Sequence, residues 1–197
     1  MRDIAKAAAF WRCFAEHRRQ IEALLLSDPL RAFLLLEKEV LEIDPRLRVE
    51  IGPGQTEENC LVISPAGNLE LLPLTTALVA AAPPMPGWQF LPAKPRKEFD
   101  RIRFRMADGS HEVFFVEDFR FRLHAWEDTR FELHLFHRCG SFSGTEGYSI
   151  GYALIDALLG EESVMRHIAR LEMRSADPTT FSELRVLSEL PEFLSTW

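Results

Sequence analysis

RIRFRMADGSHEVFFVEDFRFRLHAWEDTRFELHLFHR, residues 101–138, alternates apolar with charged side chains four times in succession. Successive strand residues point to opposite faces, so a period of two reads as four antiparallel strands with one dry face and one wet face. Ile102, Phe104 and Met106 share a side of the first strand, and Val113 and Phe115 a side of the second. A two-residue type I′ turn at Asp108-Gly109 brings both sets to one face by setting Met106 against His111 and Phe104 against Val113. In the second hairpin the inner sets are Phe119, Phe121, Leu123 and Phe131, Leu133, Leu135, all at odd positions. Opposed pairs there must sum to an even number, which excludes a two-residue turn and predicts a three- or five-residue loop through Trp126, Glu127 and Asp128.

A sheet with one dry face needs a cover, and the flanking sequence offers helices. Residues 3–26 carry Ile4, Ala7, Ala8, Trp11, Phe14, Ala15, Ile21 and Leu25 near one stripe. The aromatic residues Phe10, Trp11 and Phe14, at helical spacing, read as core. Asp28 can cap a second helix from Leu30 to about Ile43, with Pro29 in its first position and Pro45 beyond its end. Leu47–Ile51 alternates as a strand, Gly52-Pro53-Gly54 turns, Cys60–Ser64 forms a strand, and Pro65–Asn68 turns again. A short helix over 73–82 precedes a strand at Trp88–Leu91. After the central stretch, Tyr148–Leu159 reads as a helix stopped by Gly160, although Gly151 and the β-compatible Tyr148, Ile150 and Tyr152 leave a strand open. Glu161–Met173 begins helical and finishes as a strand from Ile168, and a terminal helix is expected over 181–193. The predicted class is α+β, a mainly antiparallel sheet covered by the N-terminal helical pair and the C-terminal helices. Residues 1–197 read as one domain, with a seam at 92–98 between an N-terminal α/β half and the central sheet.

The bulk composition narrows the function classes. A hydrophobic share of 47% suffices for a full core, and a charged share of 27% marks a soluble chain. No apolar run reaches 18 residues, and the start, MRDIAKAAAFWRCF, lacks a secretory core, so no membrane partner is expected. Cys13, Cys60 and Cys139 are widely spaced and odd in number, which fits a reducing cytoplasm. The net charge of −7 argues against general affinity for nucleic acid. Arginine outnumbers lysine nineteen to four, a bias that either bidentate recognition or genome composition produces.

FWRCF (10–14), ENCLVISPAGN (58–68), AAPPMPGWQFLPAKP (81–95) and Leu159-Gly160-Glu161, in that order, give a chain that resembles an uncharacterised bacterial protein family, one of the domains of unknown function. The resemblance covers most of the chain. It implies a bacterial, cytoplasmic, single-unit protein and brings no activity, cofactor or catalytic residue with it.

Four groups of residues are candidates for chemistry. On the wet face of the expected sheet, Arg101, Arg103, Arg105, Arg120, Arg122, His124 and His134 stand beside exposed Phe114 and Phe136, an arrangement able to stack on a base or grip an anion. In that register Arg105 faces Glu112, Arg103 faces Phe114 and Arg101 faces Val116. Cross-strand ion pairing is the competing explanation, since residues 94–138 hold ten basic and nine acidic side chains. The loop bearing Gly140, Ser141, Ser143 and Gly144 lies between a strand and a helix, the context for an anion loop, but lacks the phosphate-loop lysine. His134 and His137 point to opposite faces of one strand, so they share no metal, and His137 reads as a histidine at the edge of the core. The doublets Glu117-Asp118 and Glu127-Asp128 read as turn residues. With no catalytic constellation, cofactor or metal site emerging, the first expectation is a non-enzymatic module that recognises another protein or itself. The alternatives are an enzyme acting on a small anionic substrate at the arginine face and Gly/Ser loop, and an RNA-binding protein.

Overall fold

The computed structural model describes residues 2–138 and 144–195 and divides the chain into two units, residues 1–94 and 95–197. Helices and strands alternate in both, so the class is α+β.

In the first unit, α1 (Arg2–Ser27) and α2 (Pro29–Ile43) form a hairpin. Asp28 joins them, and its carboxylate accepts from the Arg31 N–H at 3.2 Å, satisfying one of the donors a helix start leaves open. β1 (Arg48–Pro53) pairs antiparallel with β2 (Asn59–Ser64), which pairs parallel with β3 (Trp88–Leu91). The expected turn at Gly52-Pro53 is instead strand, because both residues pair with the start of β2 and the chain reverses after them. α3 (Leu72–Ala80) makes the crossover that a parallel pair requires. The helical pair thus covers the sheet of its own unit: Phe10, Trp11, Phe14, Leu36 and Val40 pack with Leu61, Ile63 and Trp88. The Trp11 indole donates to the Leu78 carbonyl at 2.7 Å, locking α3 to this core.

The second unit holds the decisive stretch, and all four expected strands are present, but not in one sheet. β4 (Arg101–Arg105) and β5 (His111–Phe115) make a two-stranded hairpin. β6 (Phe119–Ala125) and β7 (Phe131–His137) lie at the centre of a four-stranded sheet ordered β8-β7-β6-β9. The turn at Val116–Asp118 separates β5 from β6, whose outer edge is taken by β9 (Arg185–Val186). β8 (Ile168–Arg174) runs parallel to β7, so both larger sheets are mixed rather than antiparallel. The second hairpin has the even-sum register its pattern demands, Phe119 facing His137 and Ala125 facing Phe131.

The first hairpin does not have the expected register. Arg101 faces Phe115, Arg103 faces Val113 and Arg105 faces His111, a slip of one residue. The connection is a three-residue loop, Ala107-Asp108-Gly109, closed by the Met106 N–H to the Ser110 carbonyl at 2.9 Å. Gly109 has φ of +85° and the Asp108 carboxylate accepts from the Ser110 N–H. Asp-Gly thus serves a longer turn in which only the glycine needs left-handed backbone. The slip sends Phe114 into the core with Ile102 and Phe104 and leaves Val113 and Phe115 outside.

α4 (Gly144–Leu159) is helical and its Ile150, Leu154 and Ile155 cover the inner face of the β6–β7–β8 sheet. Gly160, at φ of +82°, turns the chain into α5 (Glu161–His167). The expected terminal helix over 181–193 is broken into α6 (Pro178–Glu183), the strand β9 and α7 (Leu190–Ser195), since β9 is needed at the sheet edge.

Candidate functional site

Four neighbourhoods carry side chains with chemical potential. The first is the outer face of the larger sheet in the second unit. Cross-strand pairing builds it as rows: Arg120 beside Phe136 and Arg174, Arg122 beside His134 and Glu172, His124 beside Glu132 and Arg170. β8 contributes only because of an irregularity opposite Phe131 and Glu132, where Ile168 and then Arg170 are the successive partners. The extra residue, Ala169, reverses the alternation so that Ile168 and Leu171 both face the core while Arg170, Glu172 and Arg174 face out.

His134, expected on a wet face, is 8% exposed and sits at the centre of this array. Its Nε2 is buried and makes no hydrogen bond of good geometry. Glu132 Oε1 lies 3.3 Å away and Glu172 Oε2 4.0 Å away. Burial holds the imidazole below its ordinary pKa, against the pull of Glu132. Burial pushes the Glu172 carboxyl up, but Arg174 and Arg170 override it and leave it below the ordinary value. Both arginines contact Glu172 at 2.5 Å. The His124 ring lies 4.5 Å from that of His134. Arg122 is exposed and has no ion-pair or hydrogen-bond partner among the described residues. Arg120 is occupied, donating to the Glu117 and Phe119 carbonyls and stacking over Phe181. Phe136, expected to be exposed, is buried.

The second neighbourhood is the outer side of the β4–β5 hairpin. Arg101, Arg103 and Arg105 share it with His111, Val113 and Phe115, and all six are exposed. Phe114, expected among these arginines, is 4% exposed and points the other way. The arginines of the expected single face therefore belong to two different sheets. Of the expected anion loop, Gly140, Ser141 and Ser143 lie outside the described residues, as does Cys139, and Gly144 opens α4. His137 is half-buried against the Phe119 ring at 4.7 Å, and burial lowers its pKa.

The third neighbourhood is a cavity of about 230 Å³ between α1 and α2, lined by Phe10, Cys13, Phe14, His17, Leu36 and Glu39 among others. Cys13 Sγ lies 3.7 Å from His17 Nδ1, but that nitrogen is 2.9 Å from the Cys13 carbonyl, where it donates its proton. Burial, then Glu39 and Glu16, push the thiol above its ordinary pKa. A protonated thiol beside a histidine engaged with backbone is not an activated nucleophile.

The fourth is the tip of the α1–α2 hairpin. Leu26, Leu30 and Leu34 are 92%, 65% and 54% exposed. Leu30 and Leu34 are one turn apart, on the side of α2 away from buried Ala32 and Leu36. A groove lined by Arg18, Glu22, Leu25, Leu26, Glu57 and Glu58 adjoins Leu26. Sequence reasoning followed the single core stripe and passed over this tip. The signal was present in LRAFLLLEKEVLEI, which holds more large apolar residues than one stripe accommodates.

No family model, curated protein or solved structure matches the chain. No helix among the described residues is long and apolar enough to cross a membrane.

Proposed function

We propose that the chain is a protein-binding module that engages its partner through the leucine tip of the α1–α2 hairpin. The observation that carries this reading is the exposure of Leu26, Leu30 and Leu34 together at one end of the unit. Single exposed leucines are ordinary, but three close together around one interhelical turn, one of them lining a groove, suit a contact surface. Burying each contributes roughly 1.5–3 kcal/mol, enough in sum to anchor an association. Glu57 and Glu58 rim the adjoining groove, and Glu22 within it is already paired with Arg18. The partner that fits is an apolar segment flanked by basic side chains.

The test compares the tagged wild-type chain with a Leu26→Glu, Leu30→Glu, Leu34→Glu variant in affinity purification and in light scattering over a concentration series. A stoichiometric partner, or self-association, that the variant loses while keeping its far-ultraviolet circular dichroism is the expected result. A partner set and mass unchanged by the substitutions overturn the reading.

A second reading is favoured by one observation, that Arg103 and Arg105 have no ion-pair partner among the described residues and share a hairpin face with exposed Val113 and Phe115. That hairpin face suits a small anion. Pyrophosphate raising the melting temperature of the wild type but not of an Arg103→Ala, Arg105→Ala variant supports it, and equal responses overturn it.

A further inference from the structure

The outer face of β7 and β8 holds an arrangement that neither binding surface uses. Glu132, His134 and Glu172 each place one donor atom within 4.8 Å of the other two. The His134 Nε2 among them is shut off from water and makes no hydrogen bond of good geometry, its nearest carboxylate oxygen being Glu132 Oε1 at 3.3 Å, on a residue that is 8% exposed. A buried imidazole nitrogen is ordinarily satisfied, because leaving a polar atom dry and unpaired costs free energy. We propose that Glu132, His134 and Glu172 bind a divalent transition-metal ion, with Nε2 and one oxygen of each carboxylate as ligands.

The dimensions suit such an ion. Ligands about 2.0–2.2 Å from one metal lie at most about 4.4 Å apart; the separations of 3.3 Å and 4.0 Å to Nε2 lie inside that limit, and the two carboxylate oxygens, within 4.8 Å of each other, reach it with a small side-chain adjustment. One imidazole with two carboxylates is a donor set for zinc, manganese or ferrous iron, whereas magnesium and calcium take oxygen ligands. Ligation takes the imidazole in its neutral form, which offers the Nε2 electron pair. Arg170 and Arg174 hold Glu172 ionised and oriented, the outer-shell service that ligating carboxylates receive in metal sites. On binding, Glu172 Oε2 exchanges part of its contact with Arg174 for the metal. His124, directly opposite Glu132, is within side-chain reach as a fourth ligand.

The surrounding charge supplies a test that a merely structural histidine would fail. Arg122 pairs across the strands with His134 and has no counter-ion of its own among the described residues, so it opposes the metal. The experiment is calorimetric titration of the chelator-stripped full chain with Zn²⁺ alone, beside His134→Ala, Glu132→Gln and Arg122→Gln. Zinc is expected to bind one per chain, at least ten-fold more weakly in the first two variants and several-fold more tightly in the third. Excess Mg²⁺ is expected not to compete. Glu132→Gln keeps the shape of the face, so the comparison stands even where His134→Ala perturbs folding. Absence of zinc binding by the wild type overturns the proposal, as does binding unchanged in both ligand variants. The titration is indifferent to the leucine tip, so the two proposals stand or fall apart.

Discussion

Phe114 and Phe115 are chemically identical neighbours with opposite fates. One is 4% exposed in the core of the second unit and the other is 37% exposed on the hairpin face that carries three arginines. The run VFFV (113–116) has no alternation of its own, so only the turn could decide which side faces in. Asp108-Gly109 satisfies the two-residue turn as well as the longer one, and the shorter gives the wrong answer. Phe114→Ala is therefore expected to cost roughly 3–5 kcal/mol and Phe115→Ala about 1 kcal/mol or less, read by denaturant unfolding. The reverse order would reinstate the two-residue turn. Asp44 gives a second residue-scale expectation. It accepts from the Arg46 backbone at 2.9 Å and from its guanidinium at 2.8 Å and 3.0 Å, which holds its pKa at about 2 against an ordinary 3.8. A carboxyl whose folded pKa is depressed stabilises the fold above its unfolded pKa and loses that contribution as pH falls through the folded one. Because Arg46 is largely exposed, solvent screening reduces the contribution to about 1 kcal/mol. Asp44→Asn should be less stable than wild type by that amount at neutral pH, the difference closing between pH 4 and pH 2.

At the scale of elements, glycine and one inserted residue account for what pattern reading left open. Gly151 suggested a strand, yet it sits inside α4 because the helix crosses β7 and β8 at close range. A Cβ there would stand 2.7 Å from a Leu171 methyl and 3.1 Å from the Met173 sulfur. Gly151→Val should lower stability by roughly 1–3 kcal/mol through overpacking, although glycine is a poor helix former. Equal or higher stability on thermal unfolding would mean that α4 does not approach the sheet this closely. The irregularity at Ala169 explains why the outer row of β8 was not anticipated. Strict alternation from Ile168 puts Arg170 and Glu172 in the core, and nothing in the spacing I-A-R-L announces the extra residue. The association of Glu172 with His134 was hidden for the same reason. By contrast, the strands of the second hairpin, the Asp28 cap and the β8 segment were legible, since each rests on local rules of period or capping.

On the scale of the whole molecule, the two cores are separate sets of residues. One contains Phe14, Leu36, Leu61 and Trp88, and the other Phe119, Leu133, Leu154 and Leu187. Each unit has its own sheet with helices on it, which is the property of a segment able to fold alone. Residues 1–94 expressed by themselves should unfold cooperatively with helical circular dichroism, and a non-cooperative melt would show that they depend on the remainder. The α1–α2 pair packs on a sheet within its own unit, a pairing that amphipathicity leaves open because it says that a helix has a partner without saying which. The pairing of β2 with β3 settles the matter within the first 94 residues, because every strand of that sheet is present before the second unit begins. That closure has a consequence during synthesis. A ribosome adds about 5–20 residues per second, so the 103 residues of the second unit take roughly 5–20 s to follow. If the first unit folds alone as expected, it displays its leucines on the nascent chain for part of that interval, and a partner of the proposed kind would meet the tip before the arginine faces exist.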